Sequence, residues 1–157
     1  MNHPTKLALA VALALGVAAC GKEEPKPAPK AEAPAGITVT IAHAGPLTGS
    51  IAHLGKDDEN GVALAIAQTN DKKLVIDGKP VTFKMMGEDD QADPKTGTTV
   101  AQKLVDAKVA AVVGHLNSGV TIPASEIYNK AGIPVISGAA TNPTLTERGL
   151  KGVFRTV

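Results

Sequence analysis

Val109-Ala110-Ala111-Val112-Val113-Gly114 (VAAVVG) is a run of six residues with no polar side chain, followed at once by His115-Leu116-Asn117-Ser118-Gly119. A strand with one wet face alternates polar and apolar residues. A short unbroken apolar run is the mark of a strand covered on both faces, as in a parallel sheet. Working outward, Val39–Ala44 (VTIAHA) forms a strand closed by the turn signals Gly45-Pro46 and Thr48-Gly49. Val81–Met86 forms a second strand after the tight turn Asp77-Gly78, Ile133–Ile136 a fourth, and Gly152–Val157 begins a fifth. Between them lie helical patterns. Lys56–Asn70 sets Val62, Ala65, Ile66 and Thr69 on one stripe, with Asp57, Asp58 and Glu59 in the first turn, where the helix dipole favours acids. Asp93 then Pro94 is an N-cap followed by proline at the first helical position, opening a helix that carries Val100, Ala101, Leu104 and Val105 inward. Ala124, Ile127, Tyr128 and Ala131 stripe a third helix, stopped by Gly132. Strand and helix alternate with no hairpin signal beyond Asp77-Gly78, which predicts an α/β fold, a doubly wound parallel sheet. Such sheets bind ligands outside the carboxyl ends of their strands, here the loops 45–55, 87–93, 115–121 and 137–146.

Composition narrows the partners. From 37 to 157, twelve Lys and Arg balance twelve Asp and Glu. A nucleic-acid binder needs clustered positive charge, so none is expected. The chain of 157 residues has no Trp, one Tyr and two Phe, which leaves nothing to build a base-stacking platform or an aromatic cage. Its one cysteine, Cys20, forbids an internal disulfide and a Cys-rich zinc site.

The first 36 residues read as a leader and a tether. Leu7–Ala19 (LALAVALALGVAA) is thirteen residues without a charge, too short for a comfortable membrane span and suited to a secretory signal. It ends at Val17-Ala18-Ala19-Cys20, which resembles a bacterial lipobox and implies cleavage before Cys20 and lipid attachment there. The plainer alternative is an ordinary signal peptide with an incidental cysteine. Residues 21–36 (GKEEPKPAPKAEAPAG) carry four prolines among Lys, Ala and Glu, and predict an extended linker reaching roughly 50 Å. The expected division is a signal peptide at 1–19, the lipidated cysteine and linker at 20–36, and a ligand-binding lobe at 37–157.

Two strand-end loops carry the polar chemistry. In Gly114–Thr121 a hydroxyl-rich turn opens a helix, and its free amides with the Ser118 or Thr121 hydroxyl make a site for a small carboxylate. Equally, Ser118 serves as a helix cap. In Ser137–Pro143 (SGAATNP) small side chains let the backbone approach a ligand, although a plain surface turn reads the same way. His43, His53 and His115 lack the i, i+4 spacing of metal ligands and are expected to be satisfied structural histidines. Asp57–Glu59 and Glu88–Asp90 miss the calcium-loop pattern and are expected to be solvated. No G-x-G-x-x-G, P-loop, G-x-S-x-G or H-E-x-x-H occurs. No cofactor, metal or catalysis is therefore expected.

GPLTGSIAHLG (45–55), EDDQADP (88–94), GHLNSGVTIPASEIYNKAGIPVISGAATNP (114–143) and LTERGLKGVFRTV (145–157) occur in that order. Together they resemble the start of the branched-chain amino-acid binding proteins, the leucine/isoleucine/valine receptors of ABC importers. The resemblance implies the first lobe of a type I periplasmic-binding-protein fold, closing with a second lobe on an amino acid and read by an ABC permease in the inner membrane. On it, Ser118 matches the residue that binds the ligand carboxylate. Ala139 offers a backbone carbonyl to the ammonium, with Ala140 beside it. Thr141 touches both groups, and Leu54 walls the side-chain pocket. Members of the family often pair cysteines near Ala92 and Asn117, which are not Cys here, and many carry an aromatic residue at Leu54. Members continue through a second lobe that supplies an acidic partner for the ammonium, so a sequence stopping at Val157 reads as a truncated copy. The rival expectations are a ligand-sensing regulatory module of the same fold for amides or other small solutes, and a lipoprotein interaction module with no small ligand.

Overall fold

The structure is a computed structural model that describes residues 35–157. The signal segment 1–19, Cys20 and the linker up to residue 34 lie outside the described residues. The described chain runs β1 (Ile37–Gly45), α1 (Ala52–Asp71), β2 (Val75–Ile76), β3 (Lys79–Asp89), α2 (Pro94–Asp106), β4 (Ala111–Gly114), α3 (Ser118–Ala131), β5 (Val135–Ser137), α4 (Thr144–Glu147) and β6 (Val153–Arg155). The six strands order as β2-β3-β1-β4-β5-β6. All neighbours are parallel except β2 with β3, which pair antiparallel around Asp77-Gly78. The α/β expectation holds, with one short hairpin strand added at the edge.

The order reverses at β1, whose neighbours are β3 on one side and β4 on the other. That is the switch point, and the loops after β1 and β4 open on either side of it. Core residues from alternate positions, Ala42, Ala44, Val112 and Val135, pack with Val100, Ala101 and Leu104 of α2 and Ala124 and Tyr128 of α3. On the opposite face α1 packs over β1 and β3. Asn70 fastens the end of α1 to β3: its side-chain amide donates to the Phe83 carbonyl (2.9 Å) while its oxygen accepts the Phe83 amide (2.8 Å). Beyond α1 this face is less covered, and Ile136 and Phe154 are 39% and 50% exposed.

Several boundaries move, each for a local reason. Helix α1 starts at Ala52 rather than Lys56, so Asp57, Asp58 and Glu59 fall in its second turn and not its first. Strand β4 starts at Ala111, because Val109 still bonds the Leu104 carbonyl at the end of α2. Helix α3 closes through Gly132 in the left-handed region (φ 73), and Ile133 donates to the Tyr128 carbonyl (3.0 Å) as the chain leaves the helix. Pro134 has no amide to give, so β5 begins at Val135. Asp93 caps α2 as expected, its carboxylate taking the Thr96 amide at 2.7 Å.

Candidate functional site

Because β1, β3, β4 and β5 are parallel, their following loops share one edge of the sheet, and that edge carries most of the polar geometry. Asp89 closes β3 and holds the loop after β1. Its carboxylate accepts the Leu47 amide (2.8 Å), the Thr48 hydroxyl (2.5 Å) and the Gln91 amide (2.9 Å). Burial would raise its pKa, but these bonds keep its carboxyl below the usual range.

Gly114 ends β4 at φ +137, and a side chain there would place Cβ 2.0 Å from the Ala44 carbonyl oxygen. Only glycine lets β4 run that close to β1 and still turn into the next loop. Asn117, not Ser118, occupies the cap position of α3, and its side chain makes no capping bond. The cap reading of Ser118 is therefore overturned. Its hydroxyl oxygen instead accepts the Asn142 amide (3.2 Å) from the loop after β5. That leaves its own proton to donate outward. The Val120 and Thr121 amides turn back to the Asn117 carbonyl, while those of Ser118 and Gly119 meet no backbone acceptor among the described residues.

Ser118, Ala139, Ala140 and Thr141 thus come together at the ends of β4 and β5. Ala139 is half-buried and Thr141 exposed, with its carbonyl accepting Arg155 (3.0 Å). Ala140 is fully buried and its amide is bonded to the Ser137 hydroxyl at 3.0 Å, so it backs the loop rather than facing a ligand. Leu54 lies apart from them in the first turn of α1, 44% exposed, on the other side of the switch point.

His115 meets its expectation, while His43 and Asp90 depart from theirs. His115 is a satisfied structural histidine, bonded through both ring nitrogens to Asp90 (2.6 Å) and Tyr128 (3.1 Å). His43 is buried with neither nitrogen hydrogen-bonded. Asp90 was expected in solvent with Glu88 and Asp89, yet it is fully buried because His115 is its partner. Among the described residues no group of three or more His, Cys, Asp and Glu is placed to hold a metal ion. A cleft of about 480 Å³ lies between α1 and the sheet, lined by Ile41, His43, Val62, Phe83, Gly114 and Gly138 among others. It is chiefly apolar, and Gly114 and Gly138 carry its rim to the ends of β4 and β5.

The Ser118 hydroxyl, the Ser118 and Gly119 amides and the small residues of the loop after β5 thus meet at the carboxyl edge of the sheet, beside its switch point. Residues 38–157 match the family described as Periplasmic binding protein, and the chain belongs to that family. It is 44% identical over 118 residues to a Leu/Ile/Val-binding protein homologue of Brucella abortus, an alignment covering 75% of this chain and 31% of the relative. It also resembles the branched-chain amino acid transporter substrate-binding protein of Streptococcus pneumoniae, solved with isoleucine. That match has a TM-score of 0.68 and 34% identity, covering 75% of this chain and 33% of the other. A solute-binding protein of Rhodopseudomonas palustris solved with 3,4-dihydroxybenzoic acid matches at TM-score 0.61 and 28% identity, over 71% and 30% of the two chains. The chain spans about a third of the length of these relatives. The family is one of binding proteins and not of enzymes. No helix among the described residues is long and apolar enough to cross a membrane.

Sequence reasoning gave Asp90, Ser137 and Arg155 no bonding role at this edge and gave Tyr128, which lies behind it on α3, only a place in an apolar stripe. Asp90 sits in a charge run that looks solvated. Ser137 looks like the first residue of a turn.

Proposed function

We propose that residues 37–157 are the carboxylate-gripping lobe of an extracytoplasmic receptor that captures a branched-chain or similar small amino acid for an ABC importer. The observation that carries this reading is the Ser118 hydroxyl, held by the Asn142 amide with its proton left over, beside the open Ser118 and Gly119 amides. Donors in that arrangement suit a carboxylate, and a helix N-terminus adds favourable potential. Thr141 supplies a second hydroxyl and the Ala139 carbonyl an acceptor for the ammonium. Leu54 borders the side-chain pocket. Closure of a second lobe would bring the ammonium its acidic partner and desolvate both charges, and a permease would read the closed form.

Isoleucine, in the Streptococcus protein, and 3,4-dihydroxybenzoic acid, in the Rhodopseudomonas protein, share a carboxylate and little else. A carboxylate is the group that the donors around Ser118 suit, so both ligand classes belong in the test. The test is a chimera in which residues 37–157 replace the matching third of the Brucella relative. It is titrated calorimetrically with leucine, isoleucine, valine and 3,4-dihydroxybenzoic acid, and a thermal melt confirms folding. Saturable heat with a branched-chain amino acid supports the reading. A folded chimera that binds none of the four ends it, and one that takes only the aromatic acid replaces the ligand class.

The apolar run 7–19 ending at Cys20 supports export and lipid anchoring at that cysteine. A single acyl chain anchors only marginally, so stable attachment needs a second signal, such as a further acyl chain. Cys20→Ser should release the protein from membranes and abolish lipid labelling. Wild-type protein retained in the cytosol would contradict this localisation.

A further inference from the structure

We propose that Asp90, His115 and Tyr128 form a buried positioning relay that sets the loops 115–119 and 137–142 in their ligand-binding geometry before any ligand arrives. The proposal deepens the function proposed above. It concerns how the grip is held, not what the grip touches.

All three side chains are completely buried, and they come from three places: the loop after β3, the loop after β4, and α3. The Asp90 carboxylate takes the Ala92 amide (2.9 Å) on one oxygen and His115 Nδ1 (2.6 Å) on the other. A carboxylate only accepts, so Nδ1 carries a proton. Nε2 faces the Tyr128 hydroxyl at 3.1 Å. Burial, and then the charges of Asp90 and Glu88, push the Tyr128 phenol well above its ordinary value, so it keeps its proton. Among the described residues that proton has one acceptor within reach, Nε2. A neutral ring protonated at Nδ1 satisfies every group. A doubly protonated ring would leave the phenol proton buried and unpaired, which is costly.

Fixing the ring fixes the residue, and the backbone of His115 passes the constraint on. Its carbonyl accepts the Ser137 hydroxyl (2.7 Å) and the Thr121 hydroxyl (3.0 Å). Ser137, its proton spent, accepts the amides of Ala140 (3.0 Å) and Ala139 (3.4 Å). Two residues on, the Asn142 amide reaches back to Ser118. The hydrogen bonds thus run from the end of β3 to Ala140, and the backbone carries the constraint on through Thr141 to Asn142 and so to Ser118. Buried polar groups of this kind are stable only when all partners are present, so the network holds one arrangement of the loops or none. Loops ordered in advance spare a ligand the cost of ordering them. His115 and Asp90 are positioning residues on this account, since neither touches ligand.

The experiment is amide hydrogen exchange on the chain alone, with no amino acid present, in Asp90→Asn and Tyr128→Phe. Exchange at Ala140 and Asn142 is expected to accelerate at least tenfold in Asp90→Asn and less in Tyr128→Phe. Amides of β1 and of Val112 should be unchanged. An even acceleration across the chain would mean that the network merely adds global stability, and unchanged rates at Ala140 and Asn142 would break the proposed connection. Either result overturns the relay. Should Asp90→Asn fail to fold, nitrogen-15 imidazole spectra of the unaltered chain decide. The Nδ1–H tautomer at neutral pH is expected, and an Nε2–H tautomer or a doubly protonated ring overturns it. Because no ligand is present, the outcome is independent of the chimera titration: rigid loops in a chimera that binds nothing would leave the relay standing and remove the function.

Discussion

Ser118 has two tasks at one oxygen. It accepts an amide from the neighbouring loop, and it has one proton left to give. In the chimera, Ser118→Ala should weaken binding of a carboxylate ligand tenfold to a hundredfold, roughly 1.5–3 kcal/mol for a lost bond to a charged group. Calorimetry against the unaltered chimera measures it, and unchanged affinity would reduce Ser118 to a loop fastener. His43 gives a second prediction at this scale. Burial lowers its pKa from the ordinary 6.5, while the carboxylates of Glu59 and then Asp58 pull the other way, as do carbonyls near Val113 and Gly55. With the folded value below the unfolded one, the unfolded chain takes the proton first as pH falls. Its contribution is therefore full above about pH 6.5 and is lost progressively below that. Urea midpoints should drop from pH 8 to pH 5, and His43→Leu should flatten the drop. Identical slopes in the two proteins would refute the sign.

Among the elements, β4 is the one on which the rest depends, because it stands at the switch point and delivers His115 and Ser118. Its last residue admits no side chain. Gly114→Ala adds a Cβ in backbone contact with Ala44 at an unfavourable φ, and should cost above about 3 kcal/mol, read as a loss of the folded fraction in circular dichroism. A variant that melts like the parent would show that β1 and β4 can separate there. This strand was also the easiest to read, since VAAVVG has no polar residue to place in water. The stripes of α2 and α3 were legible for the same reason: Val100, Ala101, Leu104, Ala124 and Tyr128 all point into the core. What escaped was decided by tertiary contact. Val75-Ile76 is too short a run to read as a strand alone, although Asp77-Gly78 behind it is a hairpin signal; pairing with β3 makes it one. Asp90 looks like one acid among three until His115, 25 residues away, arrives as its partner. Ser118 and Asn142 are likewise joined only in space, so the loops could be named from sequence but not their bonding.

For the molecule as a whole, the two faces of the sheet differ. Among the described residues, one is closed by α2 and α3, while the other carries α1 over β1 and β3, with Ile136 and Phe154 half exposed on β5 and the edge strand β6. Such a face and edge invite association. Sedimentation should show concentration-dependent self-association of the chain, and Ile136→Lys with Phe154→Lys should keep it monomeric at the same concentration. A monomeric parent would contradict this. The same asymmetry bears on binding. A single lobe offers a few hydrogen bonds worth about 0.5–1.5 kcal/mol each, against at least about 4 kcal/mol of lost ligand freedom. Leucine should therefore bind the chain alone only in the millimolar range or more weakly. Weak binding still leaves a footprint, and the most direct measurement is an amide NMR titration of the chain with leucine. The account predicts fast-exchange shifts centred on residues 117–119 and 139–142, with a further one at Leu54, unsaturated below millimolar leucine. Shifts centred instead on Ile41, Val62 and Val113 in the cleft beneath α1, or no shifts up to the solubility limit of leucine, would contradict it.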